Sequence, residues 1–167
     1  MKERIAVISG ARTPMAKAGT ALKDTAADDL GTAAVREAVN RSGVDPAEFD
    51  EVIIGNVAQP AHAANISRVI ALKAGIPINV PAHTVHRNCA SGMESVTQAA
   101  MRIAAGMGSV FVAGGVESMS NIPLFFNAEY SDFMNRLSRA KTGRQRVGTL
   151  LSFRFRMLKP EVGLIQG

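Results

Sequence analysis

The segment HTVHRNCASGMESV, His83 to Val96, holds Cys89, the single cysteine among 167 residues. One thiol cannot form an internal disulfide. It is then either a packed apolar group, as most buried cysteines are, or a nucleophile. The residues before it read as a strand and those after it as a helix. Its sulfur is therefore expected beside free backbone N–H groups and the positive end of a helix dipole, a setting that favours a thiolate. Ser91 and Gly92 are small enough to let a substrate reach the sulfur, and a backbone N–H at such a helix start can hold an oxyanion. His83 and His86 read as strand or interface packing rather than as a base for Cys89. His62 stands alone in a loop, and three histidines with one cysteine offer no metal-ligand spacing, so no metal is expected. Glu94 and Glu117 read as hydrogen-bonded structural carboxylates. Gly10-Ala11-Arg12-Thr13 lacks both common phosphate motifs, while Gly114-Gly115 reads as a place where the chain passes close to another backbone beside the cysteine.

Something must position that cysteine. IAVIS (5–9) is an apolar run of strand type. From Thr25 a helical period follows through Leu30, Ala34 and Ala38, stopped by Gly43 and Pro46. EVIIGNV (51–57) is a second strand, Asn65 to Ala74 a second helix, and AHTVH (82–86) a third strand. Ala90 to Ala105 is a third helix ending at Gly106, and SVFVAGG (109–115) a fourth strand. The order βαβαβαβ predicts an α/β fold, a mostly parallel sheet with helices on both faces. Such sheets bind ligands at the carboxyl ends of their strands. The third helix is rich in alanine, serine, glycine and methionine. It suits a crowded central layer that another element covers.

Composition bounds the rest. With 47% hydrophobic residues the chain can bury the core of one domain rather than two. The apolar part of MKERIAVISGARTP is too short for a signal-peptide core and no run approaches a membrane span. One cysteine without a targeting segment predicts a reducing, cytoplasmic location. The net charge is +5, yet eight of the 19 basic residues lie between Met134 and Pro160 with no acidic one, against 11 basic and 14 acidic elsewhere. That shift marks a boundary near 124–132. Beyond it, Asp132 to Arg139 reads as a short amphipathic helix, and Phe153, Phe155 and Met157 alternating with arginine read as a half-buried strand or a strip along a partner. The basic segment suits a solvated face, phosphate-bearing ligands, or a membrane surface or partner subunit. Without a recognised motif, nucleic acid is not an expected partner.

Five phrases, in order, resemble the thiolase family: ARTPMAKAGTALKD (11–24), EVIIGNVAQ (51–59), ALKAGIP (71–77), HRNCASGMESV (86–96) and VAGGVESMSNIP (112–123). SRAKTGRQ and FRFRMLKPE resemble the subgroup that partners multienzyme β-oxidation complexes. The GGVESMS phrase favours a thiolase over a ketoacyl synthase of the same superfamily. The resemblance implies a thiolase-like half, incomplete: residues 1–124 as an N-terminal domain lacking its last strand, and 125–167 as the beginning of a basic loop region. It implies an acyl-CoA C-acyltransferase that cleaves 3-ketoacyl-CoA with coenzyme A, or condenses acyl-CoAs, through an acyl-cysteine on Cys89. The backbone N–H of Cys89 would serve an oxyanion hole. Coenzyme A is then a substrate and no cofactor is expected. The family's activating histidine and second cysteine lie in a C-terminal half, so this stretch alone is expected not to turn over. A homo-oligomer, dimer or tetramer, is implied, with the third helix between two sheets, and a β-oxidation subunit is a candidate partner. The alternative is a non-catalytic module that pairs with a thiolase partner chain.

Overall fold

The computed structural model describes residues 4–162. They fall into two compact units, divided between Ile122 and Pro123. In the first unit, helix α1 (Ala27–Ser42) leads through a short 3-10 turn to strand β1 (Glu51–Gly55). Helix α2 (Ile66–Ala74), strand β2 (Ala82–Val85), helix α3 (Ser91–Ala104) and strand β3 (Phe111–Gly115) follow. The three strands form one parallel sheet in the order β2-β1-β3, with Val52 opposite both Ala82 and Val112. This is the α/β architecture expected of the sequence.

The helix boundaries follow from local chemistry. Asp28 and Asp29 sit in the first turn of α1 and Arg41 in its last, each matched to the helix dipole. Gly43 ends it at φ +69°, a left-handed conformation that glycine adopts without steric cost. The Asn65 side chain accepts the Arg68 N–H at the start of α2, and Gly75 closes that helix at φ +93°.

Alternation along β1 divides the core. Val52 and Ile54 pack on one face with α1 and α2, through Val35, Val39, Ile66 and Ile70. Ile53 points to the other face, with Val85 and Ala99 of α3. All five β1 residues are buried, as a central strand covered on both faces requires.

The expected first strand, IAVIS (5–9), is not formed. These residues take no strand assignment and leave Val7 87% and Ile8 63% exposed. Apolar character nominates a strand, but only an adjacent edge makes one. Here β3 bonds to β1 on its inner side, and its outer edge faces residues 5–11 across a groove.

A polar cluster fastens α1 to α2. Asp28, 2% exposed, accepts from Lys73 Nζ at 2.6 Å and lies 3.1 Å from His62 Nε2. His62 is therefore not alone in its loop, as the sequence suggested; a contact 34 residues away left no local signal. Burial alone would raise the Asp28 pKa, but the hydrogen bonds from Lys73 and His62 outweigh it and hold the carboxyl below its ordinary range. A carboxylate whose pKa is lowered by folding contributes stability above its unfolded value and loses it as pH falls through the folded one. Asp28→Asn is expected to cost about 1–3 kcal/mol at pH 7. Urea melts at pH 7 and pH 3 should show the gap to the native chain narrowing in acid. A constant gap would mean that the charge is not responsible.

The second unit pairs strand β4 (Leu124–Phe126) antiparallel with strand β5 (Pro160–Val162). Between them lie helices α4 (Ala128–Arg139) and α5 (Gly143–Leu151). A chain of rings runs through it, Phe126, Tyr130, Phe133, Phe153 and Phe155, with centroids 4.3–6.3 Å apart; of these Phe133 is the buried one. The half-buried strand expected at 153–157 is instead loop and a 3-10 turn, Phe155–Leu158. Phe153 turns inward onto Phe133 while Phe155 is 85% exposed, so the alternation there does not mark two faces of a sheet. Helix α5 escaped the sequence reading because little of it is apolar on one side. It is defined by its start, where Thr142 and Gln145 form a reciprocal capping box.

Candidate functional site

The carboxyl ends of the three parallel strands meet the N-terminus of α3, and Cys89 stands there, exposed and unpaired. The loop that carries it is tightly determined. Asn88, just before the cysteine, has φ +49°, a conformation asparagine tolerates better than most side chains. Ser91, 3% exposed, bridges the loop. Its Oγ accepts the Arg87 N–H at 2.8 Å and donates to the Asn88 carbonyl at 2.7 Å. Cys89 is thus held in a turn closed on both sides by one buried hydroxyl.

Close backbone approach completes the shelf. A Cβ on Gly55, the last residue of β1, would lie 2.3 Å from the Ser91 carbonyl carbon and oxygen. One on Gly115 would lie 2.9 Å from Gly92 Cα, the approach that the paired glycines predicted. Asn56 N–H donates to the Val85 carbonyl, and its side-chain amide donates to the Val116 carbonyl at 2.9 Å. Glu117 accepts the N–H groups of Val57 and Ala58 at 2.9 and 3.2 Å, and the Asn56 amide at 3.2 Å. This carboxylate laces the loop after β1 to the loop after β3, a structural role.

Glu94 also has a structural role. It pairs with Arg87 at 2.6 Å and accepts from Gln98 at 3.1 Å. The Arg87 hydrogen bond, then that of Gln98, holds its carboxyl below the ordinary range. His83 Nδ1 lies 2.7 Å from Glu51, and Nε2 lies 3.1 Å from Gln98. With both nitrogens engaged, it is not the base for Cys89. His86 is exposed and lines a shallow groove with Arg87 and Glu94. Among the described residues no group of three histidine, cysteine or acidic side chains could hold a metal ion, and no helix is long and apolar enough to cross a membrane.

Ser91 and Asn88 were missed as determinants of the loop, since neither a buried bridging hydroxyl nor a positive φ is written in residue type alone. Asparagine directly before the cysteine was the available signal for the second. Ser91→Ala is expected to leave the Arg87 N–H without its acceptor and to cost about 1–3 kcal/mol, measurable by urea denaturation. A cost within experimental error would mean that the loop is held by other contacts.

The family model for "Thiolase, N-terminal domain" matches residues 5–151. The chain belongs to the thiolase family. It is 37% identical over 158 residues to the 3-ketoacyl-CoA thiolase of Photorhabdus laumondii, covering 95% of this chain and 36% of that one. It is 39% identical over the same length to the mitochondrial trifunctional enzyme subunit beta of Bos taurus, of which it covers 33%. Among solved structures, the Bacillus anthracis acetyl-CoA acetyltransferase superposes with a TM-score of 0.71 at 41% identity, over 74% of this chain and 31% of that one. A thiolase from Ascaris suum in complex with coenzyme A gives 0.70 at 34% identity, over 72% and 32%. This thiolase chain therefore spans about a third of the length of the relatives it matches.

Proposed function

We propose that Cys89 is the acyl-accepting nucleophile of an acyl-CoA C-acyltransferase, which cleaves 3-ketoacyl-CoA with coenzyme A or condenses acyl-CoAs. The observation that supports this most is an exposed thiol pinned in a determined turn at the N-terminus of a 14-residue helix. The N–H groups of Ala90 and Ser91, expected from the sequence to be free, are instead bonded to the Arg87 and Asn88 carbonyls; they fix the backbone around the sulfur rather than serve a substrate. In the half-reaction the Cys89 thiolate attacks the thioester carbonyl of an acyl-CoA. The new sulfur–carbon bond forms as the carbonyl electrons move to oxygen, where the Cys89 N–H would stabilise them. The carbonyl then re-forms, and coenzyme A leaves as its thiolate and takes up a proton. Coenzyme A is substrate rather than resident cofactor. These 167 residues hold one cysteine, so for this stretch taken alone the proposed outcome is a single, stoichiometric acylation.

The eight basic residues between Met134 and Pro160 suit the phosphates of coenzyme A or an anionic membrane surface. A β-oxidation subunit remains the proposed partner. Exposed Met93, Val96 and Met101 on α3 support self-association, because a soluble monomer seldom leaves such a patch bare; a stable monomer in sedimentation would count against it.

The test of the catalytic reading is incubation with acetyl-CoA followed by peptide mass mapping. One acetyl group on the peptide containing Cys89 is expected. Labelling elsewhere, or none, would overturn the assignment.

A further inference from the structure

We infer that His83, in its doubly protonated form, is a positioning residue for Cys89: it closes a relay of side chains that runs from β1 along α3 to the turn that carries the thiol. The inference rests on the reading of Cys89 as the reacting group. Five hydrogen bonds make the relay. Arg102, in the last turn of α3, donates to one Glu51 oxygen, and His83 Nδ1 lies 2.7 Å from the other. His83 Nε2 lies 3.1 Å from Gln98 Oε1. The Gln98 amide nitrogen donates to Glu94 Oε1 at 3.1 Å, and Glu94 Oε2 accepts from Arg87 at 2.6 Å. Arg87 reaches the thiol through the backbone. Its N–H is held by the Ser91 hydroxyl and its carbonyl accepts the Ala90 N–H.

The two carboxylates decide the protons between them. An ionised Glu94 only accepts, so the Gln98 amide turns its nitrogen to Glu94 and its oxygen to His83. The opposite orientation would set two acceptors 3.1 Å apart. His83 Nε2 must therefore donate. An ionised Glu51 also only accepts, so Nδ1 must donate as well. An imidazole with one proton has one donor, and the imidazolium has two. Loss of that proton leaves one of the two links without a hydrogen, and the Gln98 amide cannot turn to compensate without giving up Glu94. The relay is complete in one protonation state of His83 and broken in the other. Toward this ring β1 brings Glu51, and α3 brings Glu94 and Arg102 beside Gln98. On its own segment, His86 and Arg87 border the same shallow groove. The start of α2 meets the strand through Asn65 and Ser67, which are bonded to Thr84.

The test is the rate at which iodoacetamide alkylates Cys89, followed from about pH 5 to about pH 9; with one cysteine in the chain the reading is unambiguous. Above the titration of His83 the turn is less firmly held, and the rate is expected to fall about twofold to tenfold below the curve that thiol ionisation alone gives. NMR titration of the three histidines, assigned by single substitutions, should place this step at His83. His83→Gln, whose amide does not titrate, should abolish the step. Gln98→Leu, which cuts the relay and leaves His83 in place, should do the same, while His86→Gln should keep it. Far-UV circular dichroism is the folding control. A merely structural role would lower stability in these variants without changing the shape of the pH profile. A native profile with the thiol step alone would overturn the proposal, as would a second step that survives in His83→Gln or Gln98→Leu or that follows His86. Iodoacetamide reports the thiol whether or not it accepts an acyl group, so failure of acetyl labelling and failure of the relay are told apart.

Discussion

Gly55→Ala is expected to destabilise the first unit by about 3 kcal/mol or more, at the severe end for a single methyl group. The new Cβ would fall 2.3 Å from the carbonyl carbon and oxygen of Ser91 and 2.6 Å from Gly92 N. Those are backbone atoms at the start of α3, so no side-chain rotation relieves the clash. The helix would have to lift from the sheet, taking Ala99 from its contact with Ile53 and Val85. Gly148→Ala makes the control: nothing lies within 4 Å of its Cβ position, and within a helix alanine is favoured by about 0.5–1 kcal/mol. Guanidinium melts of the two variants should diverge in opposite directions. If Gly55→Ala melts with the native chain, the close approach of β1 and α3 is not a feature of the folded protein in solution. Lifting α3 would also move the turn that holds Cys89, so acylation should fall with stability.

Cys89→Ser is expected to abolish acyl transfer from acetyl-CoA while leaving the fold intact. Cys89 is exposed and its side chain packs in neither core cluster, so the exchange costs little stability. A hydroxyl in its place is a far weaker nucleophile without a base to activate it. Mass mapping should show the acetyl group lost from this peptide, and unfolding free energies from urea melts should coincide within about 0.5 kcal/mol. Equal labelling of the serine variant would show that the acyl group goes elsewhere. A large loss of stability would show that the thiol is a packing group after all. The contrast between the two substitutions separates the roles: Gly55 builds the shelf, and Cys89 uses it.

Much of this architecture was legible from residue order. Gly43 ends its helix where the stop was expected, and the helix expected from Asn65 to Ala74 is capped by Asn65 and closed by Gly75. The strand at Glu51–Gly55 and the helix that follows Cys89 stand within a few residues of their expected ends. Local signals suffice at these places, because a cap or a glycine stop acts within one turn of chain. They fail where an element depends on a distant neighbour. IAVIS has the composition of a strand, but a groove separates it from the open edge of β3. Phe153 and Phe155 alternate with arginine, but an aromatic cluster rather than a sheet sets their directions.

By itself, the sequence determined that one thiol stands where a strand gives way to a helix, among residues small enough to leave it reachable, in a chain of the thiolase family. Tertiary structure alone decided how that thiol is held. The Ser91 hydroxyl bridging Arg87 and Asn88, the carboxylate of Glu117 joining two loops some 60 residues apart, and the contact of Gly55 with α3 are all relations between distant segments. Residue type limits which hydrogen bonds and approaches are allowed, but only the folded backbone brings the partners within reach.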